Sequence, residues 1–118
     1  MRNFKELKIW QKGFEIAVNC SKITSRFPSH EKFGLAVQIN KASVSIPSNI
    51  AEGSSRTSNK DYNRFIEISL GSSFELETQL LVAKHANYGD QELITRTLAL
   101  VDEEQKMLIA FSNKLLPK

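Results

Sequence analysis

Placing successive residues about 100° apart, as in an α-helix, sorts most of the apolar positions of this chain into stripes. In the first segment Leu7, Trp10, Phe14, Ala17, Val18 and Ser21 fall on one side, and Ile9, Ile16, Cys20, Ile23 and Phe27 fall nearly opposite. The second segment repeats the arrangement, with Leu35, Ile39, Ala42, Ile46 and Ile50 on one stripe and Phe33, Val37, Val44 and Ala51 on another. A third carries Tyr62, Phe65, Ser69, Ser72, Ser73, Leu76, Leu80 and Ala83, flanked by Leu70, Phe74 and Leu81; the fourth carries Leu93, Val101, Leu108, Phe111 and Leu115. No stretch alternates β-branched and polar residues between turn signals, so strands are not expected.

Punctuation sets the boundaries. Asn3 with Glu6 resembles a capping box for the first helix, which must stop by Phe27-Pro28. Ser29 is the expected cap of the second, with Glu31 in its first turn and Gly53 as its terminator. Pro47 falls inside that helix; it lacks an N–H and crowds the carbonyl of Ser43, which predicts a kink rather than an end. Ser58 with Asp61 forms a second capping box, opening a helix that runs to about Asn87. Tyr88-Gly89-Asp90 supplies a stop and a new cap, and the last helix continues to about Leu116. The expectation is an all-α, up-and-down four-helix bundle with a proline-kinked second helix, one domain over residues 1–118.

Two apolar stripes per helix are more than one bundle can cover. Leu7, Trp10, Phe14 and their row are assigned to the core of the bundle. The opposite row, Ile9, Ile16, Cys20, Ile23 and Phe27, is then left wet and is expected to be an interface between identical chains. The alternative is that the first helix is buried on both sides by its own chain.

Composition adds little to the fold but narrows the setting. With 118 residues, 41% of them hydrophobic, the chain has enough apolar surface for one core. Lys5, Lys8 and Lys12 interrupt the N-terminal stretch that a signal peptide would keep apolar, and no run approaches a membrane span. The single cysteine, Cys20, cannot close an internal disulfide, so a cytoplasmic protein without membrane contact is expected.

Candidate chemistry is sparse. Neither His30 nor His85 completes the Glu-x-x-His pairs of di-iron bundles, Cys20 has no second cysteine, and the glycines form no phosphate loop, so neither metal nor cofactor is expected. The serines at 69, 72 and 73 have no base nearby and are read as packing residues whose hydroxyls bond back one turn. Arg26 and His30 faintly match an Arg-x4-6-His ribonuclease pattern, but with a spacer of three that includes Pro28; that reading ranks last. Glu104 falls in the fourth core stripe and is placed at its edge, since a buried carboxylate needs a partner.

The formal charge of +3 is unevenly spread: residues 1–30 carry +4, 31–60 carry +2, 61–90 carry −3, and the rest are balanced. Lys5, Lys8, Lys12, Lys22 and Arg26 share an arc of the first helix, and Arg56, Lys60 and Arg64 are spaced four apart where the third begins. Such rows can track phosphates, or simply solvate a bundle.

Several motifs carry a family resemblance: Phe4-x-x-Leu7-x-x-Trp10-Gln11, Phe27-Pro28 with Glu31-x-Phe33-Gly34-Leu35, Ser45-Ile46-Pro47-Ser48-Asn49-Ile50-Ala51-Glu52-Gly53, and Glu75-Leu76-Glu77-Thr78-Gln79-Leu80. Together, from about Phe4 to Tyr88, they resemble the four-helix-bundle family of 23S rRNA intervening-sequence proteins. The resemblance implies a homopentameric barrel of bundles and no enzymatic activity. A similar relative, the accessory protein of diversity-generating retroelements, is associated with nucleic acid and a reverse transcriptase. Many relatives have two adjacent basic residues where this chain reads Asn40-Lys41, so only Lys41 joins the candidate nucleic-acid contacts. Two functions are therefore expected in order: a non-enzymatic, oligomeric RNA- or DNA-binding accessory protein, then a scaffold for protein partners.

Overall fold

The chain enters its first long helix later than Asn3. In the computed structural model, which describes residues 3–117, the Asn3 side chain accepts a hydrogen bond from the Lys5 amide and caps a single 3-10 turn, Phe4–Glu6. Leu7 is extended, and α1 spans Lys8–Thr24. It ends three residues before Phe27-Pro28. Met1, Arg2 and Lys118, the ends of the expected domain, lie outside the described residues.

Ser29 likewise opens only a 3-10 turn, Ser29–Glu31. The cap of α2, Leu35–Ser54, comes from Glu31, whose Oε2 accepts from the Leu35 amide at 3.1 Å. Pro47 lies inside α2, which continues through it for two further turns. Ser58 accepts from the Asp61 amide and starts α3, Asn59–His85; Asp90 accepts from the Leu93 amide and starts α4, Gln91–Leu115. Between them the chain reverses through Asn87 (φ +61°) and Gly89 (φ +72°), and the Tyr88 amide reaches back to the Ala83 carbonyl at 2.9 Å, closing the helix end. A side chain at Gly89 would meet the Ile23 carbonyl at 3.0 Å, so this turn sits against the end of α1.

Among the described residues these four helices, with no strands, form the four-helix bundle expected. Each packs on its neighbours in the chain, and α4 closes the ring on α1, within 44 × 22 × 20 Å. Side chains pin the seams: Asn40 Nδ2 donates to Thr24 Oγ1 (3.0 Å) between α1 and α2, Ser69 Oγ donates to the Ile46 carbonyl (3.0 Å) between α2 and α3, and Ser112 Oγ donates to Asn63 Oδ1 (2.6 Å) between α3 and α4. Of the three α3 serines only Ser73 bonds back along its own helix, to Leu70; Ser69 and Ser72 reach across to α2.

The assignment of the α1 faces is reversed. Ile9, Ile16, Cys20 and Ile23 are buried among Ile39, Ile46, Leu80, Ile94, Val101 and Leu108 inside one chain, which leaves them no surface to share with a sister molecule. Phe27, half-buried, packs on that core and against the Tyr88 ring, with centroids 5.7 Å apart. Of the row assigned to the core, Phe14 (51% exposed) and Val18 (39%) face out, while Leu7 and Trp10 are half-buried against its edge. Gly13 lies on the inward side, where a Cβ would stand 3.1 Å from Ile46, so α1 approaches α2 too closely there to admit the aromatic row. Glu104, placed at a stripe edge, is instead completely buried.

Candidate nucleic-acid interface

Up-and-down topology brings the start of α1, the end of α2, the start of α3 and the end of α4 to one end of the bundle; Asn59 Nδ2 donates there to the Leu115 carbonyl. Five of the basic residues singled out from sequence gather at that end: Lys5 on the 3-10 turn, Lys8 at the start of α1, Arg56 in the α2–α3 connection, and Lys60 and Arg64 on the first turns of α3. All five are exposed.

They are not continuous helical rows. Lys5 is off α1, and Arg56 precedes the first residue of α3. What joins Arg56 to Arg64 is Phe65, with the two guanidinium carbons 4.7 and 5.6 Å from its ring centroid, within cation–π range. Arg56 also approaches Glu52 at 3.8 Å. Its apolar periodicity marks Phe65 as a core residue; its place next to Arg64 is the sequence signal for the cation contact. Lys114, exposed near the end of α4, stands at the same end of the bundle and was not anticipated.

The remaining predicted cations lie elsewhere. Lys22 and Arg26 are at the opposite end, where Arg26 stands 4.0 Å from Asp90. Lys12 is held across the α1–α4 seam, its ammonium 2.8 Å from Glu103 Oε2. Lys41 lines the outer α2–α3 groove with Gln38, Ser45, Ser72, Glu75 and Gln79. Asn40, beside it, is occupied by the seam bond to Thr24. Thus the structure places Lys5, Lys8, Arg56, Lys60 and Arg64 at one end of the bundle, pairs Lys12, one turn along α1 from Lys8, with Glu103, and puts Lys22, Arg26 and Lys41 elsewhere.

Reactive groups are not assembled. Burial pushes the Cys20 thiol up to about 12, despite a hydrogen bond from Ser43, so it is a protonated core residue and not a nucleophile. His30 Nε2 is 3.3 Å from the Tyr88 hydroxyl, and Arg26, its supposed partner, turns to Asp90. Among the described residues no three His, Cys, Asp or Glu side chains converge as a metal site, and no helix is long and apolar enough to cross a membrane.

Residues 5–110 match the family described as 23S rRNA-intervening sequence protein. A crystal structure of a protein with unknown function from the S23 ribosomal protein family of Bacteroides thetaiotaomicron has the same fold, with a TM-score of 0.81 and 25% identity, over 88% of this chain and 97% of that one. No curated protein matches.

Proposed function

The chain belongs to the 23S rRNA-intervening sequence protein family, and from that premise we propose that it is a non-enzymatic, homo-oligomeric protein that binds RNA or DNA through phosphate contacts, as an accessory to another machine. The observation that carries the binding is the gathering of Lys5, Lys8, Arg56, Lys60 and Arg64 at one end of the bundle. Cations placed together in this way neutralise successive phosphates and release their counterions, whatever the base sequence. A cytoplasmic setting agrees with the one buried cysteine.

Assembly would use the faces that the fold leaves apolar and outward. α1 presents Phe14 and Val18 and α2 presents Val37 and Val44, while α3 presents Phe74, Leu81 and Val82. Two different apolar faces on one subunit suit head-to-tail contact, which closes into a ring when the rotation allows. Five copies is the number that the family resemblance implies. A scaffold for protein partners is the second reading, favoured by the same exposed side chains together with Phe33.

The test is a titration of single-stranded RNA at 50 and 200 mM salt. Five neutralised phosphates at about 0.7 counterion each predict a loss of affinity of roughly a hundredfold between the two. Glutamine at Arg56, Lys60 and Arg64 should weaken binding and lower the salt slope by about two, with assembly unchanged. Absence of binding at low salt ends this reading and leaves the scaffold.

A further inference from the structure

Glu104 is the most anomalous side chain of the bundle. It is 0% exposed, and neither carboxyl oxygen has a hydrogen-bond partner. An ionised carboxylate in such a place is strongly disfavoured. Room for it is made by Gly13 on α1, where a Cβ would stand 3.0 Å from Glu104 Oε2. Next to Gly13 in sequence is Lys12, whose side chain is only 21% exposed and whose ammonium is 2.8 Å from Glu103 Oε2. One lysine therefore stands against two consecutive carboxyl groups of α4, one of them 60% exposed and the other dry.

The surroundings set which carboxyl takes the charge. Burial pushes the Glu104 carboxyl up to about 8, and the positive charge of Lys12 pulls it the other way. From α2 the neighbours at this level are Ile46 and Pro47, which carry no charge. On α3 the acidic group at this seam is Glu77, which accepts from the Gln105 side-chain amide at 2.8 Å. On α1 the other buried titratable group, Cys20, stays protonated throughout the neutral range. On α4 itself Asp102 is paired with Lys106 at 3.2 Å. Among the described residues Lys12 is the cation placed to compensate a charge on Glu104.

We propose that Glu103 and Glu104 compete for the ammonium of Lys12, giving the α1–α4 seam two proton-linked arrangements. In the first, Glu104 is a neutral acid and Lys12 pairs outward with Glu103, as observed. In the second, Glu104 has released its proton to solvent and Lys12, still an ammonium, is drawn inward onto it. Glu103 is then left as a bare surface carboxylate, so the net charge of the three groups goes from zero to one negative as pH rises. The exchange makes no use of RNA binding and stands whether or not that reading holds.

Carbon-13 NMR titration of the glutamate carboxyls in the full-length protein tests this, with Glu104→Gln identifying the Glu104 resonance. Glu104 should titrate well above the ordinary carboxylate range, and the Lys12 side-chain resonances should move at the same midpoint. Glu103→Gln, at an exposed position, removes the competitor; it should lower the Glu104 midpoint by about one pH unit or more, as a freed cation beside a carboxylate does. Lys12→Gln should raise it. A Glu104 midpoint in the ordinary range overturns the proposal, and so does a midpoint unmoved by Glu103→Gln while circular dichroism shows the helices intact.

Discussion

Replacing Ile16 and Ile23 together by glutamate separates an inward from an outward Ile stripe on α1. Both side chains are completely buried, facing α2 and α4 in the core. Truncating one such residue costs about 2–5 kcal/mol, so losing both removes about 4–10 kcal/mol of packing. Two carboxyls in the same place add the desolvation of groups that have no partner there. Against a total stability of about 5–15 kcal/mol for a domain of this size, the double variant should lose its helical circular dichroism at 25 °C. Phe14→Glu with Val18→Glu is the matching perturbation on the other stripe. Those side chains are about half exposed, so the variant should keep its helical signal and, by light scattering, form a smaller particle than the parent. An Ile16/Ile23 variant that stays fully helical, or a Phe14/Val18 variant that unfolds, would refute the assignment of the two faces.

Three further outcomes follow from local geometry. Because the folded carboxyl of Glu104 lies near 8 and the unfolded one near 4.5, the native state holds the extra proton between those values. Stability should therefore be highest below pH 4.5 as far as this group is concerned, fall as pH rises to 8, and level off above it. At about 1.4 kcal/mol per pH unit the whole window amounts to on the order of 5 kcal/mol; Glu104→Gln should flatten it in urea melts run from pH 5 to 9. Ser58→Ala removes the oxygen that accepts from the Asp61 amide, and should lower stability by about 1 kcal/mol, read as a fall of about 4 °C in Tm. Gly89→Ala forces a Cβ onto a backbone at φ +72° and against the Ile23 carbonyl, and should cost about 1–3 kcal/mol in the same melts.

Much of the candidate interface was legible as a list of cations but not as a surface. Spacing along the chain grouped Lys12 with Lys8 and Arg26; the fold gives Lys12 to Glu103, 91 residues away, and sends Arg26 to the other end. Phe65 holding Arg56 and Arg64 could not be read from periodicity, since Arg56 reaches the ring from outside the helix.

Local chemistry determined a good deal without any tertiary information. The caps at Ser58 and Asp90 start their helices as expected, because side-chain oxygens and amides three residues apart meet wherever the chain turns into a helix. The periodic apolar positions of α2 and α3 point inward as the pattern implied; in α4 Val101 and Leu108 do, Leu93, Phe111 and Leu115 are only half-buried, and Ile94 and Thr97, outside the expected stripe, are completely buried. In α1 the two stripes are equally apolar, and a helical wheel gives only angles about the helix's own axis. Which stripe turns inward depends on where the neighbouring helices stand. The close approach of α1 to α2 and α4 at Gly13 admits Ile16, Cys20 and Ile23 and leaves Phe14 and Val18 outside, and the same contact buries Glu104. Helix identity and the starts of α3 and α4 came from the sequence; the starts of α1 and α2, the inward face of α1, the dry carboxyl and the partners of the cations were decided by the tertiary structure.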